Sequence, residues 1–493
     1  QTCALPICFP MGQKDRFYVD IMALQPEVTG SCNLVIVKYP NGTSTKFIVD
    51  CGLFQEKEYQ EYNLAFPFDC DNLEFVLVTH NHVDHIGRLP LLVKKGFQGK
   101  IFTTRTTSLL MGLALNDSYK VLKDTAKRNH TKQLYSEGDV EETLQKVVGC
   151  EYEIPCYITP NIKATFFVNG HLVGAALILV QISYPGYEDI NILFTGDYND
   201  KNMFFDVPQL PEWVTNLPLT VVQESTYGYM DSTEIVQSLQ ENIISCMEKR
   251  KTAILLVFSL GRCQEILYIL KRMQMEGKIS SDIPIYLDGK LAIAYTETYR
   301  KADLGLKEEM QDFLPDNFQY VDKISRASLL EDSTRKIVVT TSGMGTYGPA
   351  QVYIPAYITQ KDCLIQFTGY TAEGTLGRCL KDTPEGEIIR DSKGEIATIG
   401  GLVKKKLANV QYTTELSAHA KADEMVKFLK QFKKLKLVLV NHGEITSKEK
   451  FSIRVDEEVN PKNTAILGRD YLFRINPYGL IRSFSTSDRK SVV

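Results

Sequence analysis

The feature that most constrains this chain is the stretch FVLVTHNHVDHIGRLP, which runs from Phe75 to Pro90. The sequence has only seven histidines, and three of them, together with one aspartate, fall between His80 and His85. Apolar residues precede the histidines, and a glycine and a proline follow them, which predicts a buried strand that ends in a polar loop. Loops at strand ends are where α/β folds assemble their sites.

The residue types in this loop favour a metal site. Imidazole nitrogens together with a hard carboxylate oxygen suit Zn²⁺. In a loop that leaves a strand, His80 and His82 can point to one side while Asp84 and His85 point to another, so one segment could serve two adjacent metals. A polar loop that is rich in histidine by accident is the alternative, and the full HxHxDH pattern after a buried strand argues against it.

Further candidate ligands also follow apolar runs. A strand end with a small residue nearby is predicted at each of His171 in VNGHLVGAAL, His442 in LVLVNHGE, Asp50 in KFIVD and Asp197 in ILFTGD. His419, in ELSAHAKAD, comes just before a predicted helix. His130 lies in the polar helical stretch TAKRNHTKQ, so we expect it at the surface and assign it no role.

Length and composition leave room for several domains and exclude some classes of protein. The chain has 493 residues, 44% of them hydrophobic, and a net charge of −4; the length suggests roughly two to four domains. This charge gives no overall footprint for nucleic acid, although a local basic groove is compatible with it. The eleven cysteines show no CxxC pair, which fits a cytoplasmic protein without a disulfide framework. No apolar run reaches the ~20 residues that would span a bilayer, so we expect no membrane association.

The pattern of elements predicts an α/β sandwich interrupted by a second domain. From about 16 to 110, short strands alternate with turns, and YPNGTS predicts a hairpin. Residues 116–148 are predicted helical, and strands then resume. From about 229, ten-to-seventeen-residue helices alternate with buried strands, which is typical of a parallel sheet. We therefore expect a first domain that covers 11–228 and 409–487, with an inserted domain at 229–408.

The two ends of the chain resemble translated sequencing-adapter DNA. Both QTCALPI and DRKSVV can be encoded by such DNA. We therefore expect 1–10 and 488–493 not to be native, with the natural start at Met11 or near it.

Seven short motifs resemble those of one family. VDCG, THNHVDHIGRLP, GHLVGA and TGDYN resemble motifs one to four of the metallo-β-lactamase superfamily, and QESTYG, LSAHA and NHGE resemble motifs A, B and C of its β-CASP branch. The resemblance covers nearly the whole chain, and it is closest to bacterial relatives of the eukaryotic pre-mRNA 3′-end cleavage endonuclease subunit. It implies a metallo-β-lactamase αββα sandwich with an inserted α/β β-CASP domain.

The resemblance also implies a site with two Zn²⁺ ions, or with Mn²⁺ as an alternative. One metal would be bound by His80, His82 and His171, and the other by Asp84, His85 and His442, with Asp197 bridging both. Asp50 would hold the histidine loop by hydrogen bonds instead of binding metal. The catalytic set would be Asp84, Asp197 and His419, with Glu224 orienting His419 so that it donates a proton to the leaving O3′.

The implied function is zinc-dependent hydrolysis of single-stranded RNA, in RNA processing or decay, with 5′-phosphate and 3′-hydroxyl products. RNA is favoured over DNA because RNA-processing members carry histidine at motif C, here His442, where DNA-repair members typically carry valine. Cleavage could be internal or 5′→3′ exonucleolytic, and the chain could form a homodimer. The alternatives are a DNA nuclease, a non-catalytic RNA-binding subunit, and a lactamase or thioesterase, which would lack the 229–408 insertion.

Substrate contacts are less constrained by the sequence. Lys404, Lys405, Lys406 and Arg262 could line a groove for RNA, although a lysine run is more often a solvated surface. The backbone N–H groups of Ser342, Gly343 and Thr346 could hold a phosphate, with a simple glycine-rich turn as the alternative.

Two segments depart from the family pattern. Lys421 stands where motif B commonly has an acid, with Asp423 two positions on, and we expect this cation to lower the pKa of His419. Asp288-Gly289-Lys290 stands where the family commonly has Asp-Ser-Pro. The sequence therefore does not predict the shape of the cleft.

Overall fold

A computed structural model of the chain describes residues 16–235 and 238–486. The ends that we expect to be adapter-derived, 1–10 and 488–493, lie outside the described residues, as does Met11.

The described helices are Val83–Ile86 (α1), Leu89–Lys94 (α2), Arg105–Asn129 (α3), Glu137–Gln145 (α4), Glu212–Thr215 (α5), Leu239–Glu248 (α6), Arg262–Met275 (α7), Lys290–Lys301 (α8), Lys323–Glu331 (α9), Ala350–Tyr357 (α10), Leu376–Asp382 (α11), Ala422–Lys430 (α12) and Ile445–Arg454 (α13). None of these described helices is long and apolar enough to cross a membrane.

The described strands are Tyr18–Ala23 (β1), Asn33–Lys38 (β2), Ser44–Val49 (β3), Phe75–Leu77 (β4), Lys100–Thr104 (β5), Val147–Cys150 (β6), Cys156–Thr159 (β7), Ile162–Val168 (β8), Ala176–Ile182 (β9), Ile190–Phe194 (β10), Pro218–Glu224 (β11), Thr252–Leu256 (β12), Ile285–Asp288 (β13), Phe318–Val321 (β14), Lys336–Thr340 (β15), Leu364–Phe367 (β16), Thr398–Ile399 (β17), Leu402–Val403 (β18), Asn409–Tyr412 (β19), Lys434–Asn441 (β20), Asn463–Ile466 (β21), Tyr471–Asn476 (β22) and Gly479–Ser485 (β23).

Residues 116–148 were predicted helical, and most of this stretch is helical, in two helices and not to its end. The structure has α3 and α4 there, followed by the start of β6. The break occurs because His130 takes a left-handed backbone conformation, with a φ of 53°, at the C-terminal cap of α3. A new helix then begins at Ser136, whose side chain forms a capping box with Asp139. His130 is exposed, as expected.

Two large sheets form the predicted sandwich. One has eight strands in the order β23-β22-β1-β2-β3-β4-β5-β6, and the other has seven in the order β21-β20-β11-β10-β9-β8-β7. Their inner faces share one apolar cluster, in which Val35 and Phe47 of the first sheet lie with Ile178 and Ile192 of the second. The predicted hairpin at Asn41-Gly42 joins β2 to β3 as an antiparallel pair. Helices cover both outer faces, so the fold is an αββα sandwich.

The inserted region forms a third sheet, in the order β14-β13-β15-β12-β16-β19, and all of its strand pairs are parallel. Its last strand, β19, pairs with β16 and lies beyond the boundary that the sequence places at 408. The pattern of a single short strand does not reveal which sheet it joins. Helices α3 and α8 pack together, so the sandwich and the insert share one buried apolar cluster.

Candidate metal centre and cleft

The seven predicted metal ligands meet where strands of the two large sheets end. The loop after β4 carries His80 and His82, and α1 then begins at Val83, which places Asp84 and His85 in its first turn. The remaining three follow other strands: His171 after β8, Asp197 after β10 and His442 after β20.

These side chains form two groups that share Asp197. The first contains His80, His82, His171 and Asp197, and the second contains Asp84, His85, Asp197 and His442; within each group the ligand atoms lie within 4.8 Å of one another. In the first group, His171 Nε2 is 3.1 Å from His82 Nδ1, and His80 Nε2 is 3.6 Å from Asp197 Oδ2. In the second, His85 Nε2 and His442 Nε2 each lie 3.2 Å from Asp197 Oδ1. Asp197 thus offers a separate oxygen to each group.

The unsatisfied atoms of the centre fit a cation. Asp197 Oδ1, His85 Nε2 and His442 Nε2 are buried and have no hydrogen-bond partner in the part of the chain that the structure describes. Buried polar groups are normally paired, so three orphaned ligand atoms facing one another indicate a missing partner that binds them all. Two nitrogen- and oxygen-rich groups suit divalent metals such as zinc. The fold and this cluster together indicate a metal-dependent protein.

Four of the five histidines in the two groups are also held through their second ring nitrogen. His85 Nδ1 donates to Asp50 Oδ2 at 2.7 Å, and His171 Nδ1 donates to the Ala418 carbonyl at 2.9 Å. The Nδ1 atoms of His80 and His442 lie 3.0 and 3.2 Å from the hydroxyls of Thr79 and Thr226. Outer hydrogen bonds of this kind fix the tautomer and the orientation of metal-binding imidazoles.

Asp50 lies beside the histidine loop. Its carboxylate accepts from the Thr79 amide and hydroxyl, each at 2.8 Å, and from His85. The carboxylate therefore joins the two ends of the histidine loop without entering either ligand group.

Two glycines of the motifs allow the loops to approach this closely. A Cβ on Gly52 would lie 1.5 Å from the Asp84 carbonyl oxygen. Gly196 has a φ of +56°, and a Cβ there would lie 2.7 Å from Thr79 Cβ. Any larger residue would push the VDCG or TGD segment away from the histidine loop.

Burial and charge set the protonation of the centre. Burial, followed by neighbouring His85, holds the pKa of His80 well below its usual value, and burial likewise lowers the pKa of His171. For Asp197, burial opposes ionisation, but the surrounding imidazoles outweigh it and hold the carboxyl pKa well below its usual range. At His80, His171 and Asp197 these shifts favour the neutral imidazole and the ionised carboxylate that bind metal, whereas at His85 burial is outweighed by the neighbouring carboxylates, which raise the pKa well above its usual value.

Glu224 and His419, which are far apart in sequence, lie side by side. His419 Nδ1 donates to Glu224 Oε1 at 2.8 Å, and His419 Nε2 lies 3.9 Å from Asp197 Oδ2. Glu224 is itself held by the backbone amides of Tyr198 and Thr226. Burial lowers the tendency of His419 to protonate, but Glu224 and Asp197 outweigh it and raise its pKa.

The predicted tendency of Lys421 to lower the pKa of His419 is confirmed, but it does not set the direction of the net shift. Lys421 does act to lower the pKa of His419, but the nearby carboxylates dominate. Its ammonium lies 3.4 Å from the centre of the Tyr227 ring, is buried and has no hydrogen-bond partner within residues 16–235 and 238–486. Burial lowers the pKa of Lys421 to about 8. Asp423 does not contact His419; it accepts hydrogen bonds from Ser232.

A cleft of about 150 Å³ lies between the sandwich and the insert. Ligand-group residues form one wall, and the insert contributes Phe258, Arg262, Met344 and Tyr370. The Tyr370 hydroxyl donates to the carboxylate of Glu444, which lies two residues after His442. This hydrogen bond joins the two walls of the cleft. This Tyr370–Glu444 contact was not predicted, and nothing in the sequence pattern signals it.

The predicted substrate contacts divide into one that reaches the cleft and others that do not. Arg262 lines the cleft, but it is buried and donates to the Thr368 carbonyl and the Glu265 carboxylate. Ser342, Gly343 and Thr346 do not line it among the described residues. The Ser342 amide already donates to the Tyr347 carbonyl, at 3.1 Å, so it is not free to hold a phosphate.

Lys406 of the lysine run and Asp288 of the Asp288-Gly289-Lys290 segment form hydrogen bonds within the insert. Lys406 is buried and donates to the carbonyls of Leu380 and Thr383, at 2.8 and 2.6 Å. It therefore cannot line an RNA groove, contrary to the expectation from the sequence. Lys404 is half-buried and Lys405 is exposed. Asp288 accepts two hydrogen bonds from Arg326, at 2.6 and 2.7 Å, and one from Tyr353.

Comparison with known proteins agrees with this architecture. Residues 28–168 match the model of the Metallo-beta-lactamase superfamily, 263–380 the Beta-Casp domain, and 404–466 the Zn-dependent metallo-hydrolase RNA specificity domain. An RNase J-like protein of Methanocaldococcus jannaschii is 30% identical over 407 residues, which cover 81% of this chain and 87% of that protein.

Two further relatives differ in the share of their length that the match covers. Ribonuclease TTHA0252 of Thermus thermophilus is 28% identical over 436 residues, which cover 85% of this chain and 91% of the relative. Transcription termination factor FttA of Methanosarcina mazei is 29% identical over 439 residues, which cover 85% of this chain but 65% of the factor. This chain therefore spans only about two thirds of the length of the termination factors that it matches.

Proposed function

This chain belongs to the β-CASP branch of the metallo-β-lactamase superfamily, and from that premise we propose that it is a zinc-dependent ribonuclease that hydrolyses single-stranded RNA. The observation that carries the proposal is the pair of ligand groups that share Asp197, together with the His419–Glu224 pair beside them. His419 Nε2 lies 3.9 Å from Oδ2 of the shared Asp197. A metal centre with an adjacent proton donor is the arrangement that phosphodiester hydrolysis requires.

Each ligand group would hold one zinc ion. His80, His82 and His171 would bind the first and Asp84, His85 and His442 the second, with Asp197 shared. When bound, such a pair supplies Lewis-acid activation of water and neutralises the charge that develops on the phosphoryl oxygens. The buried side chains around the pair exclude bulk water, which strengthens these interactions.

His419 is the group that would protonate the leaving oxygen. Its Nδ1 is occupied by Glu224, which leaves Nε2 to face the reacting phosphate. Glu224 and Asp197 raise the pKa of the imidazole, which favours the protonated form that would donate from Nε2. As the bond between phosphorus and O3′ breaks, that proton gives a 3′-hydroxyl, and the oxygen of water becomes part of the 5′-phosphate.

RNA is the proposed substrate for two reasons. The segment 404–466 matches a domain whose description names RNA specificity, and two of the relatives are named as ribonuclease or RNase J-like. His442 stands at the position where the RNA-processing members of the branch carry histidine.

The test uses an unstructured RNA oligonucleotide and its DNA counterpart, each labelled at either end and incubated with zinc. We expect the wild type to cleave RNA and Asp197→Asn to leave it intact. His130→Ala is the matched control, because His130 is exposed at the end of α3. Mononucleotides from the 5′ label would indicate an exonuclease, and internal fragments an endonuclease. Cleavage of DNA alone, or equal cleavage by Asp197→Asn, would contradict the proposal.

A further inference from the structure

Asn81, the residue between His80 and His82, connects the histidine loop to the inserted domain. Its side-chain amide donates to the hydroxyl of Tyr295 on α8, with an Nδ2–Oη distance of 3.0 Å. Both residues are almost fully buried, at 2% and 1% exposed. The hydrogen bond therefore joins the sandwich to the insert directly behind two predicted metal ligands.

The surroundings leave this amide little choice of partner. Tyr295 belongs to the apolar cluster shared by α3 and α8, so its hydroxyl is a polar group in a largely apolar setting. Asn81 Oδ1 is buried and has no hydrogen-bond partner among the described residues. The contact between Asn81 Nδ2 and Tyr295 is thus the hydrogen bond that fixes this side chain, and losing it would leave both groups unpaired.

His82 is the ligand-group histidine that most needs such a restraint. The other four histidines of the two groups are each held through their second ring nitrogen. His82 Nε2, by contrast, is buried and has no partner among the described residues. The imidazole of His82 consequently depends on its backbone for orientation, and that backbone is anchored by the neighbouring Asn81.

We propose that Asn81 and Tyr295 form a clasp through which the inserted domain holds the His80–His82 loop in its metal-binding geometry. The inference rests on the proposed metal site and adds two positioning residues, neither of which touches metal or substrate. It also makes metal affinity depend on how the insert docks against the sandwich. Removal of outer groups that orient metal ligands typically costs 10–100-fold in affinity or activity.

The test measures the zinc affinity of the full chain by competition with a chromophoric chelator, in the absence of RNA. Tyr295→Phe removes only the hydroxyl, and we expect it to weaken zinc binding at least about tenfold. Asn81→Ala should weaken it to a similar extent. The double variant should lose no more than the more severe single one, because both changes break the same hydrogen bond.

Tyr299→Phe is the matched control. Tyr299 lies one turn further along α8, is also buried and packs its ring against Phe204 and Phe313. It should leave zinc affinity unchanged. Equal weakening by Tyr299→Phe, additive losses in the double variant, or wild-type affinity in Tyr295→Phe would each overturn the clasp.

Thermal unfolding of each metal-free variant separates a loss of geometry from a loss of fold. If Tyr295→Phe fails to fold, Asn81→Ala, which changes a loop residue, decides the question by the same affinity measurement. Because zinc affinity is measured without RNA, this test of the clasp does not depend on ribonuclease activity. A wild type that binds zinc but does not cleave RNA would contradict the ribonuclease proposal, and the affinities of the variants would still decide whether the clasp exists.

Discussion

The histidine loop of the sandwich and the basic and glycine-rich stretches of the insert make opposite use of their polar groups. In the loop and its neighbours, buried ligand atoms such as His85 Nε2 and Asp197 Oδ1 face one another without partners. In the insert, Lys406 and the amide of Ser342 donate their hydrogen bonds to nearby backbone carbonyls. Polar groups left unsatisfied by the fold indicate function, whereas polar groups that the fold consumes indicate structure.

The largest effect should follow from removing the carboxylate that both ligand groups share. Asp197→Ala takes an oxygen from each group, so neither metal should be held tightly. We expect RNA cleavage to fall by at least about 10⁴-fold, since hydrolytic enzymes owe rate enhancements of about 10⁶-fold or more to such centres. Zinc content and cleavage of end-labelled RNA measure this, with His130→Ala as the control. If Asp197→Ala kept full zinc content and full activity, the unsatisfied polar groups of the histidine loop would not indicate function, and the contrast with the insert would fail.

The next effect concerns the proton donor, which lies beside the metals without belonging to either ligand group. His419→Ala should slow cleavage by about 10²–10⁴-fold, because a general acid contributes about that factor. Bound zinc should stay at the wild-type amount. Single-turnover cleavage together with metal analysis tests both statements, and a variant that loses zinc in proportion to activity would place His419 among the metal-holding residues.

Lys421 should show that a buried cation near the centre costs stability. Its pKa of about 8 in the folded protein lies below the ordinary value of 10.5. Between those values the unfolded chain binds the proton more tightly, so wild-type stability should rise as pH increases from 8 towards 10.5. Below pH 8 the full penalty applies. Lys421→Met should therefore be more stable at pH 7 by up to about 3 kcal/mol.

Urea unfolding at pH 7 and at pH 10 measures this difference. The advantage of Lys421→Met should shrink at the higher pH, where the penalty on the wild-type lysine is largely relieved. Lys427→Met, on α12, is a control that should show no such change with pH, because an exposed lysine keeps its solvation. A constant difference between Lys421→Met and the wild type at both pH values would contradict the burial of the charge.

The smallest effect should come from the lysine run and should act on stability alone. Lys406→Ala leaves the carbonyls of Leu380 and Thr383 without their donor, which should cost about 2 kcal/mol of folding free energy. Lys405→Ala, at an exposed position, should cost almost nothing. RNA cleavage by either folded variant should match the wild type. A selective loss of RNA affinity in Lys406→Ala would contradict this account and indicate that Lys406 contacts RNA.

Much of the centre could be predicted because strand-end loops follow a simple rule. An apolar run followed by histidine or aspartate and a small residue predicts a strand end or loop for ligands such as His80, His171, Asp197 and His442, and the fold brings those ends together. The pairing of Glu224 with His419 could be inferred only from the family resemblance, since no local pattern links residues so far apart.

The contacts that the sequence did not reveal all depend on how the insert packs. Asn81 with Tyr295, and Tyr370 with Glu444, each join residues of the sandwich and the insert. Lys406 could not be distinguished from its exposed neighbour Lys405, because the run of three lysines carries no periodicity that tells a buried position from a solvated one. Local patterns report on elements, whereas the first two contacts are set by the docking of one domain on another and the burial of Lys406 by packing within the insert.

A stepwise zinc titration of the metal-stripped protein, with cleavage of end-labelled RNA measured at each step, tests the central claim most directly. We predict that the chain binds two equivalents of zinc tightly and that cleavage rises as they are bound. Undiminished cleavage by the stripped protein, or the absence of tight zinc binding, would contradict the account.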